Sequence, residues 1–153
     1  KQVVKRQLAA YTLPLQGETL TEQMVQYLEA FDHAETAVHN LAVAQEAKDW
    51  QNGFKSNAEK AYLAGLLHDV SVVIPNDQRI ALQIAVGEPI LDAGGKHLFA
   101  ASAAIRFVGK NGFRVTDPDI LSAISCHTTL KAIIVVFDLL VFLADKIKWD
   151  RKD

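Results

Sequence analysis

The chain of 153 residues contains a single cysteine, Cys126. One cysteine cannot form an internal disulfide and cannot complete a C-x-x-C motif, which excludes a disulfide scaffold and a thiolate metal site of that kind. A fold that needs no disulfide suits a reducing compartment. We therefore expect the protein in the cytoplasm.

Long hydrophobic runs are also lacking. The longest apolar stretch, residues 132–144 (AIIVVFDLLVFLA), contains Asp138 and is shorter than the ~20 apolar residues of a membrane-spanning helix. We interpret it as a core helix. Residues 1–7 are charged and no apolar segment follows them, so we expect no signal peptide and no membrane partner.

An excess of charge of one sign is lacking as well. The 16 Lys and Arg residues are scattered along the sequence, and with 18 Asp and Glu residues they leave a net charge of −2. Such a surface has no bulk attraction for nucleic acid or for an anionic membrane. We therefore expect no nucleic-acid partner.

What the sequence has is helical periodicity. Half of its residues are hydrophobic, enough for one domain with a substantial core. The apolar residues recur at helical spacing almost throughout, which predicts an all-α, single-domain protein with an N-terminal helical extension over residues 1–30. The predicted helices cover 19–30, 35–48, 57–69, 78–86, 96–108, 116–127 and 132–148.

Local signals predict how some of these helices begin. Ser56 and Glu59 have the spacing of a capping box, and Thr116 is expected to cap a helix with Pro118 in its first turn. In the helix predicted for 35–48, one set of residues falls near one face and makes the helix amphipathic: Val38, Leu41, Ala42 and Gln45.

The octapeptide LAGLLHDV, residues 63–70, places an imidazole and a carboxylate side by side at the end of an apolar helix. Burying an ionised carboxylate costs several kcal/mol or more unless the charge is paired or bound to a metal. His68 and Asp69 therefore need a partner from elsewhere in the fold.

Other polar residues in apolar helices could provide that partner. Imidazole and carboxylate groups are ligands for Fe, Mn, Co or Zn, and a helical bundle can direct one ligand from each helix to an internal point. Taken singly, each histidine could instead bond a backbone carbonyl, and the aspartate could face solvent. The residues that together favour a metal site lie on or at the ends of five predicted helices: His39, His68, His97, His127 and Asp145.

Several segments resemble the HD-domain phosphohydrolases. HNLAVA (39–44) is similar to the first-histidine segment of that superfamily, AGLLHDV (64–70) to its signature and LADKI (143–147) to its closing aspartate. KHLFAASAA (96–104) and AISCHTTLK (123–131) resemble one subgroup, the YqeK family of symmetrical diadenosine-tetraphosphate hydrolases. The resemblance implies an HD-type helical bundle over residues 31–153, with the metal site between helices.

The resemblance also implies the ligand set of that site. One metal ion would be held by His39, His68, Asp69 and Asp145. A second would be held by His97 and His127, with Asp69 bridging both ions as the catalytic carboxylate. The implied cofactors are two divalent or mixed-valence metal ions. Iron is the preferred metal, and Mn, Co or Mg are the alternatives.

The implied reaction is symmetrical cleavage of diadenosine tetraphosphate into two ADP by a metal-activated water. The implied partner is a nucleotide, and a homodimer is one possible assembly.

Asp138 lies one heptad before Asp145 on the same helix face, where it could orient a ligand histidine or pair with a lysine. Candidate substrate contacts lie near the implied ligands: Thr128, Thr129, Lys131, Lys146 and Arg106.

Three positions depart from the pattern of the family. Thr36 stands where an arginine is frequent, Val72 where a lysine follows the HD pair, and Leu130 where a glycine follows HTT. Two alternatives therefore stay open. One is an HD-type nucleotidase acting on (deoxy)nucleoside phosphates, and the other is a metal-dependent nucleotide-sensing module without catalysis.

Overall fold

The described part of the chain is helical. The computed structural model describes residues 9–12, 14–53, 57–75, 113–125 and 136–150, and the single residues Arg6, Asp77, Gln78, Ala81 and Ile84. No strand occurs among these residues, and the predicted all-α class is confirmed. The α-helices in these ranges are α1 (Leu20–Ala30), α2 (Ala34–Gly53), α3 (Ala58–Leu67), α4 (Pro118–Ser125) and α5 (Val136–Asp150), with 3-10 turns at Ala9–Tyr11 and Val70–Val73.

Five of the predicted helices correspond to α1 through α5, with boundaries displaced by a few residues. The helix predicted for 96–108 lies outside the described residues. So does most of the one predicted for 78–86, of which Gln78, Ala81 and Ile84 are described and helical. Within the ranges given above, no helix combines the length and the apolar character needed to cross a membrane.

Side-chain caps define the starts of α1 and α3. The Thr19 hydroxyl accepts a hydrogen bond from the Glu22 backbone N–H, and the Glu22 carboxylate accepts one from the Thr19 N–H, which makes a complete capping box. At α3 the cap is Asn57, whose Oδ1 accepts from the Lys60 N–H at 3.1 Å. The prediction of Ser56, which lies outside the described residues, as the cap is therefore wrong by one residue.

The cap of α4 is Asp117, so the prediction of Thr116 is wrong by one residue. Oδ1 of Asp117 accepts hydrogen bonds from the backbone N–H groups of Asp119 at 2.9 Å and Ile120 at 3.4 Å. A carboxylate is the better cap here because its charge also opposes the positive end of the helix dipole. The Lys60 ammonium, 2.9 Å from Asp117, holds the pKa of this carboxyl below its usual value and joins α3 to α4.

The buried face of α2 differs from the predicted one. Val38 is 68% exposed and Gln45 is also exposed, so the face predicted from Val38, Leu41, Ala42 and Gln45 is not the core face. The sequence pattern was misleading because the true core face combines small alanines with two polar amides. Its buried members are these alanines and amides together with one valine: Ala37, Asn40, Val43, Ala44, Ala47 and Gln51.

Residues near the N-terminus contribute to the core. Met24 and Leu28 of α1 are fully buried within the main hydrophobic cluster. The Tyr27 hydroxyl donates to the Tyr11 backbone carbonyl at 2.6 Å, and burial raises the pKa of Tyr27. The Tyr27 ring also contacts Phe113 edge-on, with centroids 5.1 Å apart. Helix α1 and the segment before it therefore pack as part of the helical body.

Helix α5 is a core helix, as predicted, and it carries two buried carboxylates. Val141 and Ala144 are fully buried, and so is Asp138, whose Oδ1 accepts a hydrogen bond from the Ser122 hydroxyl of α4 at 2.7 Å. This bond fixes α4 against α5. The second buried carboxylate is Asp145, seven residues later on the same face of the helix.

Helices α2 and α3 make their closest approach at Gly65. A Cβ atom at this position would lie 2.7 Å from Cα and 2.9 Å from the backbone nitrogen of Ala44. These are backbone atoms, and no side-chain rotation can move them. Only glycine allows α3 to lie this close to α2, and the contact lies one turn before the end of α3 that carries His68.

Candidate metal site

Two histidines converge on one carboxylate oxygen. Oδ1 of Asp145 lies 2.9 Å from Nε2 of His39 and 3.3 Å from Nε2 of His68. The three side chains offer ligand atoms that all lie within 4.8 Å of one another. His68 and Asp145 are buried and His39 is half-buried, so the group lies at the edge of the core.

Each of the three side chains comes from a different helix. His39 lies in the second turn of α2, next to Asn40 on the buried face, and His68 caps the C-terminus of α3. Asp145 lies beside Ala144 on the core face of α5. The His39 and His68 rings meet edge to face, with centroids 5.2 Å apart. The packing of three helices therefore creates this group.

The tautomer of His68 is set by its own helix. Its Nδ1 lies 2.6 Å from the Gly65 carbonyl oxygen, which can only accept, so Nδ1 carries the proton and donates it. In the neutral ring the lone pair is then on Nε2, which faces Asp145. A cation between these two acceptors, either a proton or a metal ion, would stabilise their approach to 3.3 Å.

The electrostatics of the site favour such a cation. Burial would lower the pKa of His68, but the Asp145 carboxylate, the charge of Asp69 and the Gly65 carbonyl together raise the pKa above its usual value. The same negative groups that stabilise a proton on His68 would stabilise a metal ion in its place.

The spacing of the donors fits a first-row transition metal. With metal–ligand bonds of ~2.0–2.2 Å, neighbouring ligand atoms in octahedral or tetrahedral geometry lie ~2.8–3.6 Å apart. The separations of 2.9 Å and 3.3 Å around Asp145 fall within that range. Two imidazole nitrogens and a carboxylate oxygen therefore suit such an ion in chemistry, and both nitrogen–oxygen separations are compatible with it.

Of the other predicted site residues, the structure describes only Asp69 and Lys146. Asp69 is half-buried and follows His68 directly, but it is not a member of the three-residue group. The Lys146 ammonium lies 3.6 Å from Oδ2 of Asp145, with its side chain 45% exposed. The remaining predicted residues lie outside the described part of the chain: His97, His127, Arg106, Thr128, Thr129 and Lys131.

Two of the three positions that depart from the family pattern are described. Val72 lies in the 3-10 turn after Asp69 and packs against the main hydrophobic cluster. Thr36 lies in the first turn of α2 and is half-buried. Leu130 is outside the described residues. At position 72, an apolar side chain that contributes to packing therefore replaces the lysine that is frequent there in the family.

Sequence reasoning missed two residues that support the site. Gly65 supplies the carbonyl for His68 and the space for Ala44, and Asn40 donates from Nδ2 to the Leu66 carbonyl at 3.0 Å. A glycine inside an otherwise strong apolar helix signals a close approach of another backbone. The signal for Asn40 was weaker, because a polar residue beside a ligand could equally face solvent.

Comparison with known proteins identifies the family of this fold. The family model of the HD domain matches residues 36–150. A solved structure from Clostridium acetobutylicum, named a predicted HD superfamily hydrolase involved in NAD metabolism, superposes with a TM-score of 0.76. It is 25% identical, and the alignment covers 90% of this chain and 73% of that one.

Two curated relatives share part of the sequence. An uncharacterized protein in the pepC 5′ region of Lactococcus lactis subsp. cremoris is 42% identical over 103 residues, which are 67% of this chain and 52% of the relative. A probable nicotinate-nucleotide adenylyltransferase/Ap4A hydrolase of Mycoplasma genitalium is 32% identical over 114 residues, which are 74% of this chain and 32% of the relative. The alignments thus span about half and about a third of these relatives.

The family predicted from the sequence is confirmed by these matches. The predicted enzyme class, an HD-superfamily hydrolase, is also the class named for the solved structure. The match at 36–150 includes all three residues of the buried group, His39, His68 and Asp145. This chain belongs to the HD domain family.

Proposed function

We propose that this protein is a metal-dependent phosphohydrolase that cleaves diadenosine tetraphosphate symmetrically into two ADP. The observation that carries the proposal is the convergence of His39, His68 and Asp145 on a single point. The substrate class is supported by the Mycoplasma genitalium relative, whose name includes Ap4A hydrolase. The family resemblance of the segments around His97 and His127 points to the same substrate.

We assign the ligands as the resemblance implies, with His39, His68, Asp69 and Asp145 for one ion and His97 and His127 for a second. Iron is the first choice, with Mn, Co or Mg as alternatives. When bound, such a pair of ions lowers the pKa of water and neutralises phosphate oxygens. No nucleophile from the protein is required, and the described residues serve to bind and to orient.

Lys146 is the described side chain best placed to contact a phosphate. Its ammonium lies beside Asp145 and 5.5 Å from the centroid of the Phe142 ring, and the side chain is partly open to solvent. A substrate phosphate that approaches the buried group from solvent would meet this cation. Further contacts are proposed on sequence grounds alone: Thr128, Thr129, Lys131 and Arg106.

Product analysis tests the position of cleavage. With diadenosine tetraphosphate as substrate, ADP should be the only early nucleotide product, because attack near the middle of the phosphate chain leaves two equal halves. In water labelled with heavy oxygen, one ADP of each pair should carry the label. Chromatography and mass spectrometry of the first few per cent of turnover measure both quantities.

Other outcomes would favour the alternatives. Early AMP and ATP would mean asymmetric attack and would overturn the substrate assignment. Turnover of mononucleotides without turnover of the dinucleotide would favour a nucleotidase, and the packed Val72 would be the first position to examine. Tight nucleotide binding without any turnover would favour a sensing module.

Metal counting tests the second ion. His97→Ala and His127→Ala should each reduce the metal content from about two ions to about one per chain, because each variant lacks a ligand of the second ion only. Elemental analysis of the purified proteins measures the content, and Cys126→Ala, next to His127 in the sequence, is the matched control. An unchanged count in both histidine variants would give these residues structural roles.

The compartment and the assembly stay predictions. The lone Cys126 favours the reducing cytoplasm. A homodimer is one assembly to test by light scattering of the purified protein.

A further inference from the structure

Asn40 is a buried amide that joins the two histidine-bearing helices. It is fully buried on α2, directly after His39, and its Nδ2 donates to the Leu66 carbonyl of α3 at 3.0 Å. Leu66 precedes His68 by two residues. The hydrogen bond therefore links the backbone beside one ligand to the backbone beside the other.

The carbonyls at the end of α3 explain why a side chain is needed there. The last four C=O groups of a helix have no partner within the helix, and α3 ends at Leu67. One of these groups, on Gly65, accepts from Nδ1 of His68, and the next, on Leu66, accepts from Asn40. The first bond orients the His68 ring, and the second holds the end of its helix against α2.

The stability of the core does not explain an asparagine at this position. Within the described part of the chain, Oδ1 of Asn40 is buried without a hydrogen-bond partner. A half-satisfied buried amide stabilises a core less than an apolar side chain of the same size does. What the amide contributes is a directional bond that an apolar side chain could not make.

We infer that Asn40 is a positioning residue, which sets the separation of His39 and His68 by tethering the C-terminus of α3 to α2. This inference rests on the proposed metal centre. Without the tether, the end of α3 can shift relative to α2, and Nε2 of His68 moves away from Asp145. The ligand geometry then loosens although every ligand is still present.

Cobalt binding tests the inference, because the d–d absorption of Co²⁺ reports coordination geometry directly. Asn40→Leu removes the donor and keeps the branching at Cγ and the number of side-chain heavy atoms. We expect this variant to bind Co²⁺ at least tenfold more weakly than the native protein, with shifted d–d bands. The matched control is Gln51→Leu, which removes a buried amide from the same face of α2, about 16 Å along the helix from Asn40. Gln51→Leu should keep the native spectrum and affinity.

Three results would overturn the inference. The first is an Asn40→Leu protein with native Co²⁺ affinity and spectrum, and the second is an equal loss in both variants, which would indicate a general packing effect. The third is a native protein that binds no Co²⁺, which removes the proposed metal centre itself and is thereby distinguished from the first two. If Asn40→Leu does not fold, Asn40→Ala makes the same comparison without the bulk of leucine.

Discussion

Alanine in place of His68 should strip the protein of its first metal ion and reduce hydrolysis by more than about 100-fold. Changing a residue that merely orients a metal ligand costs ~10–100-fold, so loss of the ligand itself should cost more. Asp145→Asn should have a similar effect, because both imidazole nitrogens face that carboxylate. Elemental analysis and turnover of diadenosine tetraphosphate, measured on the same preparations, give the two quantities.

The matched control for this experiment is His33→Ala. His33 is a half-buried histidine in the connection between α1 and α2, outside the group of three, so its loss should leave metal and activity unchanged. Asp69→Ala should remove both ions if Asp69 bridges them as we propose. A His68→Ala protein with full metal content and full activity would refute the assignment of the site.

Alanine at Gly65 should destabilise the protein, although helix propensity alone predicts the opposite by up to ~1 kcal/mol. The added Cβ would lie 2.7 Å from Cα of Ala44, so α2 and α3 must separate. Overpacking of this kind costs ~1–3 kcal/mol or more, and each kcal/mol lowers the melting temperature by ~2–4 °C in a protein of this size. Thermal unfolding measures the effect, and metal content should fall with it because His68 moves with α3.

A second substitution shows whether backbone contact is the cause. The atoms that the new Cβ would meet are the Cα and nitrogen of Ala44 and the carbonyl carbon of Val43, so Ala44→Gly removes none of them. The double variant Gly65→Ala with Ala44→Gly should therefore stay as unstable as the sum of the single variants. Rescue by Ala44→Gly, or a rise in melting temperature for Gly65→Ala alone, would contradict the close approach.

The sequence was sufficient for the class of fold and for the core of the candidate site. Helical periodicity and capping signals located the described helices to within a few residues, since both patterns depend on local chemistry. The group of His39, His68 and Asp145 was found because histidines and an aspartate in apolar helices are costly without a shared partner. The chemistry predicted a shared site for these three together with His97 and His127, which lie outside the described residues, and the family resemblance assigned the three to one ion.

Contacts between helices were the part that could not be predicted. The buried face of α2 contains Asn40 and Gln51, which a hydrophobic pattern assigns to solvent. The same pattern assigns Val38 to the core, although Val38 is exposed. The cap of α4 was misplaced because Thr116 and Asp117 are both good caps, and the charge of Asp117, which suits the helix dipole and Lys60 from α3, distinguishes them. In both cases a partner that is remote in sequence contributes to the outcome.

The contact between His39 and Asp145 joins residues that are 106 positions apart in the chain. Closing so long a loop is slow, because its entropy must be lost before the contact contributes anything. During synthesis, α2 and α3 leave the ribosome long before α5, which carries the only carboxylate of the three-residue group. A chain that has not yet completed α5 therefore has two of these three ligands, so metal loading should follow folding and occur once α5 has been released.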